Sequence, residues 1–229
     1  MKTNIIFLIV LISLLSCEQK NDKNVPNAKI TAITDSTYIY NEYYKDGSLK
    51  LKGEYLNNKK NGLWIIYDSL GNHKETIEYF IVKDSSVINQ KWMFNNKGDT
   101  LTGVGNHYSL IMSNEVELNK ILRIHLSLLQ PIFSFDSEAY LLIDNKNQLK
   151  SRFSNLKSIK WDTVKSLSDL FPNDEKLSSR KHDFVFDIKP SSQGKKELNM
   201  ILVEKLVSSQ DSADYKTREI YISEHYDVR

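Results

Sequence analysis

Three times between Tyr43 and Gly98 an aromatic residue is followed four positions later by glycine. The segments are Tyr43-Tyr44-Lys45-Asp46-Gly47, Tyr67-Asp68-Ser69-Leu70-Gly71 and Phe94-Asn95-Asn96-Lys97-Gly98. Their aromatics stand 24 and 27 residues apart (67 − 43 and 94 − 67). A period in that range marks one small supersecondary unit repeated along the chain. Glycine reaches positive φ without a Cβ clash, so each of these glycines reads as a hairpin tip. The flanks carry Tyr, Trp, Ile and Leu, which suit half-buried pleated strands. Glu54-Tyr55 and Glu78-Tyr79 recur at one offset from Gly47 and Gly71, and Asn57 to Gly62 is a turn-rich link between the first two units. Such a unit cannot bury its apolar face alone, so its neighbours and the rest of the chain must cover it.

The rest of the chain alternates apolar and polar residues with period two. Leu122, Ile124, Leu126 and Leu128 share one strand face opposite Arg123, His125 and Ser127. Phe184, Phe186 and Ile188 alternate with Asp183, Val185 and Asp187, and Ile220 and Ile222 lie opposite Tyr221 and Ser223. Further strands are expected at Tyr108–Met112, Ala139–Ile143, Ile159–Thr163 and Leu198–Leu206. The last also fits a helix, because Leu198, Leu202 and Leu206 recur every four residues. One helical turn is expected within Val164 to Phe171, ended by Pro172. Seven or so short strands with turn-rich links predict an antiparallel sandwich. The expected fold class is therefore all-β: an antiparallel hairpin-repeat sheet over residues 37–104, followed by a β-sandwich-like half over residues 105–229.

The N-terminus carries a different signal. Lys2 precedes an almost wholly apolar run from Ile5 to Leu15, too short to cross a bilayer as a helix, which takes ~20 residues. A charged start, a short apolar core and a small residue at Ser16 read as a secretory signal over residues 1–16. Cys17, the one cysteine of the chain, follows at once. Leu14-Leu15-Ser16-Cys17 resembles the bacterial lipobox. That resemblance implies cleavage before Cys17 and acyl chains on its sulfur and new amine, with each buried methylene contributing ~0.8 kcal/mol to anchoring. It leaves a mature chain without a thiol, hence without disulfides or thiolate metal ligands. Residues 17–36 are expected to be the lipidated Cys17 and a flexible tether, with a reach of roughly 20–25 Å for sixteen residues.

Gly62 to Gly71 reads Gly-x-Trp-x-x-Tyr-x-x-x-Gly and is similar to MORN-type repeats, most of all to the variant common in bacterial lipoproteins and antitoxin-like proteins. The third unit departs from it, with Trp92 two residues before Phe94 and no preceding glycine. The resemblance implies an exported protein of the cell envelope, membrane-bound through its lipid, most simply on the outer membrane facing the periplasm. Glu18 to Asp22 partly resembles a surface-export signal of Bacteroidota, which would instead place it outside.

Chemistry is sparse. Gly-x-Ser-x-Gly, His-Glu-x-x-His, the P-loop and Cys-x-x-Cys are all missing from the sequence. Ser-x-x-Lys at Ser154–Lys157 and Ser192–Lys195 lacks the companion motifs of a penicillin-binding nucleophile. His182, Asp183 and Asp187 could be grouped as metal ligands, but neighbours on a strand point to opposite faces. No catalytic residue, cofactor or metal is expected. The mature charge, 30 − 29 = +1 once Lys2 is lost, leaves no footprint for nucleic acid. What remains is aromatic. Tyr38 and Tyr40 crowd the repeat with Tyr43, Tyr44, Tyr55, Trp64, Tyr67 and Tyr79, and the last six are the expected binding residues for a protein or glycan partner. Asp-Ser or Asp-Thr before an allowed third residue occurs five times, where chance gives roughly one. It resembles the O-glycosylation acceptor of the Bacteroidota, at Ser36, Ser69, Thr100, Thr163 and Ser212. It equally fits Asp-initiated turns. The expected role is a non-enzymatic binding or assembly module. An antitoxin or immunity protein, or a hydrolase with an unfamiliar site, are the alternatives.

Overall fold

The computed structural model describes residues 27–229 apart from 135, 145–147, 150–152 and 208–214, so Cys17 and Ser212 lie outside the described residues. Six antiparallel strands form the first sheet in sequence order: β1 (Asn27–Ala32), β2 (Thr37–Tyr43), β3 (Leu49–Leu56), β4 (Lys59–Tyr67), β5 (His73–Val82) and β6 (Ser85–Met93). The three aromatic-glycine segments make its turns at one end. In each, the first loop residue and the glycine close the same pair of backbone bonds: Tyr44 N to Ser48 O and Gly47 N to Tyr44 O, then Asp68 to Asn72 and Gly71, then Asn95 to Asp99 and Gly98. The glycines have φ of +86°, +81° and +85°. The third loop keeps this geometry although its flanks are joined only by the isolated bridge Phe94–Thr100. At the other end sit two-residue turns, Asn57-Asn58 and Lys83-Asp84.

Residues 27–32 correct the expected tether. They form β1, paired with β2 from Asn27–Tyr43 to Ala32–Tyr38. All six are exposed, so this edge strand is held by backbone bonds and has no core face to impose alternation on its sequence.

The second half is a sandwich. A five-stranded sheet runs β11 (Asp162–Lys165), β10 (Glu138–Ile143), β13 (Gly194–Val207), β14 (Tyr215–Val228), β8 (Glu115–Val116). A three-stranded sheet runs β12 (Asp183–Ile188), β9 (Leu122–Leu128), β7 (Tyr108–Ile111). The predicted leucine face of β9 and Phe184 of β12 meet Leu141, Met200, Leu202, Ile220 and Ile222 in the main core. Leu198 to Leu206 is strand, not helix. Its spacing misled because β13 is covered on both sides: Met200 and Leu202 face the sandwich core, Ile201 and Val203 a second core. The strand expected at Ile159–Thr163 is shifted to Asp162–Lys165, and the helical turn lies at Leu167–Leu170, capped by Ser166.

That second core joins the halves. Val82 of β5 packs with Phe153, Ile201, Val203 and Tyr221, with Phe80 and Val87 beside it. The joint is also polar. In the β5–β6 register Glu78 faces Gln90 and Tyr79 faces Ile88, so Asn89 is the extra residue of a bulge. A bulge re-aims its side chain. Asn89, 1 % exposed, donates to the Tyr221 carbonyl at 2.8 Å and accepts from the Tyr221 N–H at 2.7 Å, as a paired strand would. Arg218 Nη2 donates to the Asn89 carbonyl at 2.7 Å, and the Asn89 amide also donates to Glu78 at 2.8 Å.

Candidate functional site

Alternation and register gather five rings on one face of β2–β5. Tyr38 pairs with Tyr55, Tyr40 with Gly53, and Tyr79 with Gly62. Trp64 lies at the centre. Between Lys52–Ile65 and Glu54–Asn61 the register leaves Gly53 alone facing residues 62–64, and the indole covers that gap. A Cβ at Gly53 would stand 2.2 Å from Trp64 Cδ2. Tyr55 meets Trp64 edge-on at 5.0 Å, Tyr79 at 5.9 Å, and Tyr40 is stacked on it at 6.0 Å. Tyr38 stacks on Tyr55 at 5.0 Å. The Lys60 ammonium sits 4.3 Å from the Trp64 ring and 4.9 Å from that of Tyr79, within cation–π range. Among the described residues, the ring-to-ring contacts of this cluster are all within it. The tyrosines are half-buried, while Trp64 at 1 % exposure is their floor. Burial pushes the Tyr55 phenol above its ordinary pKa.

Of the six expected binding residues, the structure therefore brings Tyr55, Trp64 and Tyr79 together and adds Tyr38 and Tyr40. Tyr43, Tyr44 and Tyr67 stand apart, at the glycine-loop end. The Tyr44 hydroxyl donates to the Tyr67 carbonyl at 2.8 Å, and the Tyr67 ring tilts against His73 at 5.9 Å. Tyr44 and Tyr67 brace the loops. Gly53 and Lys60 were not singled out from sequence, although Lys60 is directly opposite Tyr55 once the Asn57-Asn58 turn is placed.

The Asp-Ser/Thr positions are exposed where described: Ser36 before β2, Ser69 in the second loop, Thr100 after the third, and Thr163 on the edge strand β11. Asp68 Oδ1 accepts from the N–H groups of Leu70 and Asn72 at 2.9 Å each, the turn role weighed above.

His182, Asp183 and Asp187 do not converge. Asp187 holds Arg123 at 2.8 and 2.9 Å, Asp183 takes Arg180 at 2.7 Å and the Ser127 hydroxyl, and His182 Nε2 lies 3.0 Å from Ser137 Oγ. Ser192 Oγ receives Lys196 at 2.7 Å, not Lys195. Ser137 does form a chain with His182 and Glu204, its hydroxyl 2.9 Å from Glu204 Oε1. In a nucleophilic triad the imidazole stands between hydroxyl and carboxylate. Here the buried hydroxyl stands between the other two, so the order is not that of a triad.

Burial holds His182 below the ordinary histidine pKa. The fold thus favours its neutral form. The stabilisation is complete above the unfolded value of ~6.5 and is lost as pH falls below it toward the folded value. Urea unfolding at about pH 7.5 and about pH 5.5 should therefore show a smaller acid loss in His182→Gln than in the unsubstituted protein. Equal losses would refute that role.

Compared with known proteins, the chain matches no family model, no curated protein and no solved structure.

Proposed function

We propose that this chain is a lipid-anchored cell-envelope protein that docks a protein partner on the aromatic face of its hairpin sheet. The observation that carries the reading is the cluster itself: five rings and an ammonium on one open sheet face, with half-buried tyrosines around a buried tryptophan. Tyr and Trp offer a broad apolar surface with a polar tip and few rotamers to order, and they are enriched where proteins bind proteins. A sheet face suits a protein more than a small ligand, whose sites are concave. Anchoring rests on the signal-like start and on Leu14-Leu15-Ser16-Cys17. Because Asn27–Ala32 is strand, the tether of this reading ends no later than residue 26, at most ~35 Å from Cys17. It joins the sheet beside Tyr43, at the glycine-loop end.

Two measurements test this. Cys17→Ala should abolish palmitate labelling and leave near-ultraviolet dichroism unchanged; persisting label refutes the anchor. Photo-crosslinked partners recovered from membranes should be lost, by roughly tenfold or more, in Tyr38→Ser/Tyr79→Ser, since a few aromatic residues carry most interface energy. They should be retained in Leu63→Ser, next to Trp64 and so on the opposite face. A partner held equally by all three proteins refutes the aromatic face.

A further inference from the structure

Beyond the third glycine loop the chain turns into β7, and a cleft of about 530 Å³ opens between the end of the hairpin sheet and the sandwich half. That size is within the range of small-molecule sites. Its aromatic side is Trp92, His107 and Tyr108, the first two stacked with centroids 5.8 Å apart and planes at 30°. Thr100, Thr102, Ser109 and Gln130 supply the polar lining. Two properties of this lining point the same way.

The first is charge. A quarter of the chain is Asp, Glu, Lys or Arg, yet none of them lines the cleft. Burial keeps His107 below its ordinary pKa, so it too is neutral at pH 7. The second is unused hydrogen bonding. Among the described residues, no side-chain hydrogen bond is made by the three hydroxyls or by the Gln130 amide, groups that both donate and accept.

An anion would find no cation here, and a cation no carboxylate. A purely apolar ligand would strand the hydroxyls and the amide. A sugar ring answers both properties. It is neutral, carries hydroxyls that donate and accept around its rim, and shows a C–H face that lies flat on an aromatic ring. We propose that this cleft is a binding site for a neutral saccharide, with one ring laid on Trp92 and its hydroxyls shared among Thr100, Thr102, Ser109 and Gln130. The site is separate from the aromatic face of β2–β5 and does not depend on it.

The test uses the full chain from residue 17 onward, without lipid. A glycan array with neutral and acidic oligosaccharides selects a ligand, and calorimetry measures it, with Kd on the order of 0.1 mM. A neutral sugar should bind, and Trp92→Ala should weaken it at least tenfold. Thr102→Trp, at an exposed position, should block it equally by filling the cleft without touching a core, which covers the case of a Trp92 variant that does not fold. Tyr38→Ser/Tyr79→Ser should bind the sugar unchanged, so failure here and failure of the aromatic face are told apart. No neutral sugar bound, binding of acidic glycans alone, or full affinity in Thr102→Trp would each overturn the proposal.

Discussion

Glu204→Ala should unfold at a midpoint roughly 6–20 °C below that of the unsubstituted protein, a loss of about 3–5 kcal/mol. Glu204 is 0 % exposed toward the C-terminal end of β13 and shares its inward face with Met200 and Leu202. Its carboxylate accepts from the N–H groups of Ile132 at 3.0 Å and Phe133 at 2.9 Å and from the Ser137 hydroxyl. Arg218, its cross-strand partner, places Nη1 3.8 Å away. Alanine would strand these donors and leave a guanidinium, 12 % exposed, without its counter-charge. The penalty for leaving buried donors and a charge unmatched exceeds whatever the intact pair contributes. Glu204→Gln keeps one acceptor oxygen and the side-chain volume, so it should recover part of the loss. Thermal and urea unfolding of the three proteins measure this. An alanine variant within about 1 kcal/mol of the unsubstituted protein would mean that water replaces the carboxylate.

Gly53→Ala should cost about 3 kcal/mol, or roughly 6–12 °C, although it adds one methyl group to a sheet. Alanine has the better intrinsic fit to a strand, so propensity alone gives the opposite sign. The new Cβ would fall 2.2, 2.4 and 2.6 Å from three atoms of the Trp64 ring system. The indole cannot swing away, because Tyr40, Tyr55 and Tyr79 surround it and its Nε1–H donates to the Glu54 carbonyl at 3.2 Å. The double variant Gly53→Ala/Trp64→Leu should therefore lose less than the two single effects added together, a coupling that a thermodynamic cycle reads directly. Additive losses would show that the glycine and the indole do not depend on each other.

The glycine loops were legible because positive φ is a backbone demand that few residues meet, and Gly47, Gly71 and Gly98 announce it by position alone. The leucine alternation of β9 was legible because one of its faces is fully buried. β1 was not, since an exposed edge strand of Asn-Ala-Lys-Ile-Thr-Ala imposes no pattern on its residues. β13 was ambiguous for the opposite reason, with both faces covered. For the site, a crowd of aromatics was visible, but the face each ring joins depends on register and bulges. Those are set by strand partners, and so Tyr43, Tyr44 and Tyr67 were grouped with rings they never meet. Trp64 looked like a contact residue and is a floor. Asn89 carried no local signal at all, because its role is defined by Tyr221, 132 residues away. Glu204 did carry one: a lone carboxylate after Met200-Ile201-Leu202-Val203 must be matched if it is buried.

Asn89 also bears on how the cleft between the halves could bind. A stack of hairpins attached by one chain crossing would be free to swivel, and a ligand would have to freeze that motion at the expense of affinity. The Asn89 clamp on Tyr221, backed by the Phe80–Val82–Val87 contact, removes the swivel before any ligand arrives. The cleft between the halves is thereby preorganised, and association there has little chain entropy left to lose.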